Sequence, residues 1–263
     1  MINKIVILGS GNLAFHLCKA LSMAGIEISQ IFSRNLETAS QLADMAGCTF
    51  TNEINKIDTS ADTFLFAMTD EANLKIIKQL KPYPDKIMLH TAGSLSMNVF
   101  EGKTENYGVF YPFQTFSKNA KLDFSEVPLC LEASNKQTLN KLIKLSEKLR
   151  CKYYIINEAQ RKVIHISGVF ACNFMNHCIS LGENILEENK IDKNILKALL
   201  KQSFEKLITN GAFASQTGPA VRQDYETMDK QIQFLKTNKT LLEIYKLMSQ
   251  SIEETHFRDE KKN

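Results

Sequence analysis

The chain has 263 residues, with 32 basic against 29 acidic side chains, a formal charge of +3, and 44% hydrophobic, 9% aromatic and 23% charged residues. That composition is globular and excludes disordered, collagen-like and disulfide-stapled chains. No block of lysine or arginine marks a phosphate-binding face, so nucleic acid is not an expected partner.

No apolar run approaches the roughly 20 residues that span a bilayer, so no membrane partner is expected. Met1–Gly9 reads as a strand entering a glycine turn, not as a signal peptide. The six cysteines (Cys18, Cys48, Cys130, Cys151, Cys172, Cys178) are scattered without a Cys-x-x-Cys pair. No zinc site or redox dithiol is expected from that spacing, and a reducing cytoplasm is the expected compartment.

Lys4–Leu8 is the first predicted strand, and Asn12–Ala24 the first amphipathic helix. Between them Gly9-Ser10-Gly11-Asn12-Leu13-Ala14 fits G-x-G-x-x-A. The first glycine permits the tight turn, Gly11 lets a pyrophosphate approach the backbone, and Ala14 lets the helix pack on the strand. The helix N-terminus favours the anion. Placed directly after a strand, the motif points to a bound dinucleotide rather than a plain turn, with Gly9, Ser10, Gly11, Asn12 and Leu13 in contact.

Ile26–Phe32 is the second strand, and its end discriminates between cofactors. A carboxylate there would accept from a ribose 2′-hydroxyl. The chain reads Ser33-Arg34-Asn35 instead, and a hydroxyl, guanidinium and amide suit a 2′-phosphate. NADP is therefore expected over NAD; the bland alternative is that Arg34 caps a surface turn.

Leu36–Ala46, Glu71–Leu80 and Lys136–Leu149 follow as helices, and Thr63–Ala67, Ile87–His90, Tyr107–Tyr111, Val127–Glu132 and Lys152–Ile156 as strands. The alternation predicts a doubly wound, mainly parallel sheet. Ligands of such sheets lie beyond the carboxyl ends of the strands. Ala67, Met68 and Thr69 are thus expected along the cofactor, with Thr91 and Gly93 near the nicotinamide. Thr91 or Ser94 offers a donor to a substrate oxygen, and Tyr111-Pro112-Phe113 turns beside the same crevice. His90 is either a strand-end residue satisfied by backbone or part of the site.

From Glu158 the strand rhythm stops. Glu158–Glu188, Lys193–Asn210 and Tyr225–Glu254 read as helical, broken clearly by Thr217-Gly218-Pro219, and the charged tail His256–Asn263 is expected to fray. The expected organisation is α/β: a dinucleotide-binding domain over 1–156, then an all-helical domain over 157–263. On the first long helix, at about 100° per residue, His165 and Asn173 fall within about 80° of each other and Asn176 within about 110° of both. His165 can protonate a developing alkoxide or amine while Asn173 holds the substrate; the alternative is a hydrogen-bonded histidine in a helical core. Arg222 either clamps a substrate carboxylate or pairs with Asp224. His16, His177 and His256 read as structural or surface residues.

Gly9-Ser-Gly11-Asn-Leu-Ala14, Ser33-Arg34, His90-Thr-Ala-Gly93-Ser, Tyr111-Pro-Phe-Gln-Thr-Phe116 and Thr217-Gly-Pro-Ala-Val-Arg222-Gln-Asp224 together resemble the bacterial Rossmann-like proteins with a helical DUF2520 domain, described as NADP oxidoreductases. The resemblance spans essentially the whole chain, and the segment from Thr217 to Asp224 is its most specific part. More distantly the chain resembles pyrroline-5-carboxylate reductase, ketopantoate reductase and the β-hydroxyacid dehydrogenases. That likeness implies a homodimer through the helical domain and a small-molecule substrate in a cleft closed by it. β-Hydroxyacid dehydrogenases carry a catalytic lysine four residues before an asparagine; here the comparable asparagine is Asn173 and position 169 is Val169, which argues against that mechanism. The resulting expectation is hydride transfer between NADP(H) and a small carbonyl, imine or hydroxy-acid-type compound. His165, Asn173 and Arg222 are the candidate catalytic residues. The rival expectations are a non-catalytic NADP(H)-binding redox sensor and a dimeric scaffold with a vestigial cleft.

Overall fold

Strand β1 (Lys4–Leu8) sends Ile5 and Ile7 into one apolar core and Val6 and Leu8 into another, and all four are fully buried. A strand covered on both faces has no polar alternation, which is why its sequence is continuously aliphatic. The computed structural model describes residues 1–257. Around β1 it assembles β2 (Glu27–Phe32), β3 (Thr49–Thr51), β4 (Thr63–Phe66), β5 (Ile87–His90), β6 (Asn106–Pro112), β7 (Leu129–Ala133) and β8 (Tyr153–Ile155). They form one eight-stranded sheet in the order β3-β2-β1-β4-β5-β6-β7-β8. Every neighbouring pair is parallel except β6 and β7, which are antiparallel, with Tyr111 opposite Cys130.

Helices α1 (Asn12–Met23), α2 (Leu36–Ala46) and α4 (Lys136–Lys148) cover the first face with Leu17, Leu21, Leu42, Leu142 and Leu145. Helix α3 (Asp70–Gln79) covers the second with Ile76 and Ile77, joined by Phe100. Asn35 and Asn135 cap α2 and α4 by accepting from the Thr38 and Thr138 backbone amides, and Thr69 caps α3 through Ala72. The order of the strands reverses between β1 and β4, so a crevice opens there at their carboxyl ends.

The predicted helix over Glu158–Glu188 is interrupted. It begins as α5 (Glu158–Gly168), widens into a π segment over Val169–Phe174, and resumes as α6 (Met175–Glu188). Hydrogen bonds of the i→i+5 kind lengthen the turn, so a uniform 100° step does not carry from His165 to Asn173, and their angular grouping falls with it. Then follow α7 (Leu196–Asn210), α8 (Ala212–Ser215), α9 (Tyr225–Phe234) and α10 (Lys239–His256). The expected helix over Tyr225–Glu254 is two, because Asn238 caps α10 by accepting from the Leu241 amide. His256 lies inside α10 and Phe257 caps it, its amide donating to the Glu253 carbonyl at 2.9 Å; residues 258–263 of the tail expected to fray are outside the described residues.

By packing, the chain divides into one unit over Met1–Phe170 and a second from Ala171 onward. Helix α5 belongs to the first, where its Glu158 amide donates to the Glu132 carboxylate on β7 at 3.0 Å. Among the described residues no helix is long and apolar enough to cross a membrane.

Candidate functional site

Gly9 ends β1 with φ +129°, and a Cβ there would lie 2.2 Å from the Ala67 carbonyl oxygen. Its amide donates to Phe32 and the Ala67 amide donates to Leu8, so the ends of β1, β2 and β4 are locked around the glycine. Gly11 next caps α1, and a Cβ on it would meet no atom within 4 Å. No side chain caps α1. Ser10 does not turn toward the helix: its hydroxyl pairs with Ser33 Oγ at 2.8 Å and Thr38 Oγ1 at 2.6 Å. The first amide donors of α1 are therefore left to an anion in open space, which is how a dinucleotide diphosphate fits this turn. The Asn12 side-chain amide donates to the Phe116 carbonyl at 3.0 Å, so only its backbone amide remains open to such an anion. Leu13 packs partly against the core.

At the end of β2, buried Ser33 sits in the hydroxyl cluster with Ser10 and Thr38, and the Asn35 amide donates to its Oγ. Exposed Arg34 makes no hydrogen bond or ion pair in the described residues; Glu71 feels its charge only after that of Lys75. A free guanidinium beside a cluster of three hydroxyls, with no carboxylate at the strand end, fits a 2′-phosphate. Thr38 is a member that sequence reasoning missed; its place on the first turn of α2 was the available signal.

The ends of β4 and β5 carry fewer free groups than expected. Thr69 is the α3 cap, and Met68 packs near Gly9 while its carbonyl accepts from Asn73. The Thr91 hydroxyl donates to the Phe66 carbonyl at 3.2 Å, and Ser94 donates to the Asp70 carboxylate. Both hydroxyls anchor the turn after β5 rather than standing free for a substrate. His90 is fully buried, and its Nδ1 accepts from the Ala92 amide at 3.2 Å. Burial, and after it the charge of Arg161, holds its pKa down to about 3. It is a neutral, buried support for the Thr91–Gly93 turn, which favours the structural reading.

Over that turn two side chains converge. A Cβ on Gly93 would lie 2.6 Å from His165 Nδ1 and 3.0 Å from Tyr111 Cζ, so only glycine leaves room for both rings. Tyr111, half-buried near the end of β6, brings its hydroxyl to 3.2 Å from His165 Nδ1. In the single chain His165 is exposed. One helical turn earlier, Arg161 is fully buried. Its guanidinium pairs with Glu132 and donates to the Leu95 carbonyl at 2.6 Å. The Asn157–Gln160 capping box fixes the start of the same helix. Tyr111 was expected beside the crevice but not as a partner of His165, and Arg161 and Glu132 were not expected in the site: their partners lie far away in sequence, and a lone arginine in a helical pattern reads as surface.

In the second unit, Asn173 lies in the π segment and is exposed. Arg222 ends a short 3₁₀ turn before Gln223, which adopts φ +54°. Asp224 caps α9 by accepting from the Thr227 amide at 3.1 Å and hydroxyl at 2.8 Å. Those bonds hold its carboxyl below the usual range, with Arg222 adding charge. Arg222 is exposed; its amide donates to the Pro219 carbonyl at 3.1 Å, and its guanidinium makes no hydrogen bond or ion pair among the described residues.

The model of the family described as domain of unknown function DUF2520 matches residues 127–252, and that of NADP oxidoreductase, coenzyme F420-dependent, matches residues 4–92. Among solved structures, a "putative NADP oxidoreductase" from Bacteroides fragilis is 34% identical, with 96% of this chain and 98% of that one covered and a TM-score of 0.87. Protein TM1727 from Thermotoga maritima is 20% identical over 97% and 99%, with a TM-score of 0.74. A 1-pyrroline-5-carboxylate reductase from Streptococcus pyogenes shares the fold at 14% identity over 95% and 98%, with a TM-score of 0.62. No curated protein sequence matches the chain.

Proposed function

Because the chain belongs to the DUF2520 family of NADP-oxidoreductase-like proteins, we propose that it is an NADP-dependent oxidoreductase acting on a small carbonyl, imine or hydroxy-acid-type compound. The observation that carries the reading is the junction of two features. The N-terminus of α1, capped by Gly11 without a side-chain hydrogen bond, is open, and an unpaired Arg34 stands beside Ser33 at the end of β2. When bound, the reduced nicotinamide supplies a hydride. The chain holds the diphosphate with the turn from Gly9 to Leu13 and the 2′-phosphate with Ser33, Arg34 and Thr38. It lines the cofactor's route with Ala67 to Thr69, and manages a proton beside Gly93 with His165. Arg222, exposed and without an ion pair among the described residues, is suited to a substrate carboxylate, and Asn173 is an exposed amide suited to a polar substrate group. The experiment is NADPH oxidation with a panel of small imines and carbonyl compounds. Turnover supports the reading; tight NADPH binding without turnover of any of them favours the redox-sensor alternative.

The proposed partner is a second copy of the chain. From Ala171 onward only Ala220, Met228, Leu235 and Ser249 are buried among the described residues, while Ile195, Leu199, Ile208, Phe213 and Leu247 are each at least 60% exposed. A helical unit with so few buried side chains lacks a core of its own. Light scattering behind a sizing column should give twice the 29.8 kDa chain mass. A monomer at tens of micromolar would count against it.

A further inference from the structure

Two ionisable groups meet over Gly93, and only one is rooted in the sheet. Tyr111 stands near the end of β6 with its ring against the turn after β5, while His165 reaches in from α5 and remains open to water. Their 3.2 Å contact has two mutually exclusive forms. If Nδ1 is bare, the phenol donates into the imidazole and has no hydrogen left for a ligand. If Nδ1 carries the proton, the imidazole donates to the phenol oxygen and leaves the phenolic hydrogen free.

We propose that Tyr111 is the catalytic residue that delivers the proton to the substrate, and that His165, in its Nδ1–H form, is the relay that restores it. The inference rests on the oxidoreductase reading above. As negative charge builds on the substrate nitrogen or oxygen, that atom takes the proton of Tyr111 Oη. As the tyrosinate takes the Nδ1 proton of His165, the exposed Nε2 takes one from water, so the imidazole stays neutral throughout; exchange with solvent then returns it to the Nδ1–H form and no net charge is left on the pair.

The surroundings suit that division of labour. Burial raises the pKa of the Tyr111 phenol, with Cys130 across the β6–β7 pair adding to it, so the proton is held until a base forms. The buried Arg161 guanidinium acts in the opposite direction and stabilises the transient phenolate, while Glu132 neutralises Arg161 when the phenol is intact. Gly93 adds no side chain between the rings and the space above the turn. His165 alone lacks this shelter.

The decisive readout uses the cofactor-free protein labelled with 15N-histidine. In the wild type the His165 nitrogen shifts should report Nδ1–H, and in Tyr111→Phe they should revert to the Nε2–H form that free imidazole prefers. Wild-type His165 in the Nε2–H form overturns the relay. Kinetics with NADPH and 1-pyrroline as the probe imine supply the second arm. Tyr111→Phe should lower kcat by about 100-fold or more with NADPH affinity unchanged. His165→Gln should lower it less. Tyr111→Phe within threefold of wild type overturns the proposal. A wild type silent toward 1-pyrroline and small carbonyl compounds overturns the oxidoreductase reading itself, whichever tautomer is found; an active wild type in the Nε2–H form overturns the relay alone.

Discussion

Arg161→Ala should destabilise the first unit by about 3–5 kcal/mol, the range for removing one partner of a buried ion pair. Arg161 has no exposed surface, and it bridges two elements that its own helix must hold: the Glu132 carboxylate on β7 and the Leu95 carbonyl after β5. Truncation leaves a largely buried carboxylate, 13% exposed in its side chain, with the Glu158 amide as its remaining donor. It also leaves a carbonyl without a donor. Lysine is not an adequate replacement, since one ammonium cannot reach both acceptors with a planar fork. The double variant Arg161→Met/Glu132→Leu should recover most of the loss, because both charges then leave together. Urea unfolding of the three variants checks this. A single-variant loss below about 1 kcal/mol, the scale of an exposed pair, would mean the bridge is a surface contact.

Gly9→Ala should be at least as damaging, by roughly 3–5 kcal/mol, and the damage should centre on the crevice. Two independent costs combine. The backbone at φ +129° is almost closed to a residue with a Cβ, and that atom would lie 2.2 Å from the Ala67 carbonyl oxygen, a backbone atom on β4 that cannot swing away. Relief requires β1 and β4 to part where Gly9 donates to Phe32 and Ala67 to Leu8. Gly11→Ala is the natural control, since its Cβ has open space. It should fold normally and lose dinucleotide affinity only. Equal stability of Gly9→Ala and wild type in thermal melts would refute the packing described for the turn.

The sheet was largely legible because its strands are short, aliphatic and separated by amphipathic helices. β1, β5 and α2 run over the expected residues, and most other ends moved by one or two positions. β3 escaped notice since three residues on a sheet edge carry no periodicity. The strand β7 was expected, but its antiparallel direction was hidden, because direction is set by a connection over residues 113–128 that contains no crossover helix. In the site, the glycine turn and Ser33-Arg34 could be read because their chemistry is local. Tyr111 and His165 are 54 residues apart, and Arg161 and Glu132 are 29 apart. Their meeting depends on where α5 docks, which no spacing rule encodes. The same limit applies to Thr91 and Ser94, whose hydroxyls the sequence presents as free and the fold engages at Phe66 and Asp70.

The most direct test of the whole account is calorimetric titration of NADPH and NADH into wild type and Arg34→Ala. Loss of one charged fork from a phosphate should weaken NADPH by about 10- to 100-fold, while NADH, lacking that phosphate, changes by less than about threefold. Wild type that binds neither dinucleotide, or an Arg34→Ala variant that weakens both equally, would contradict it.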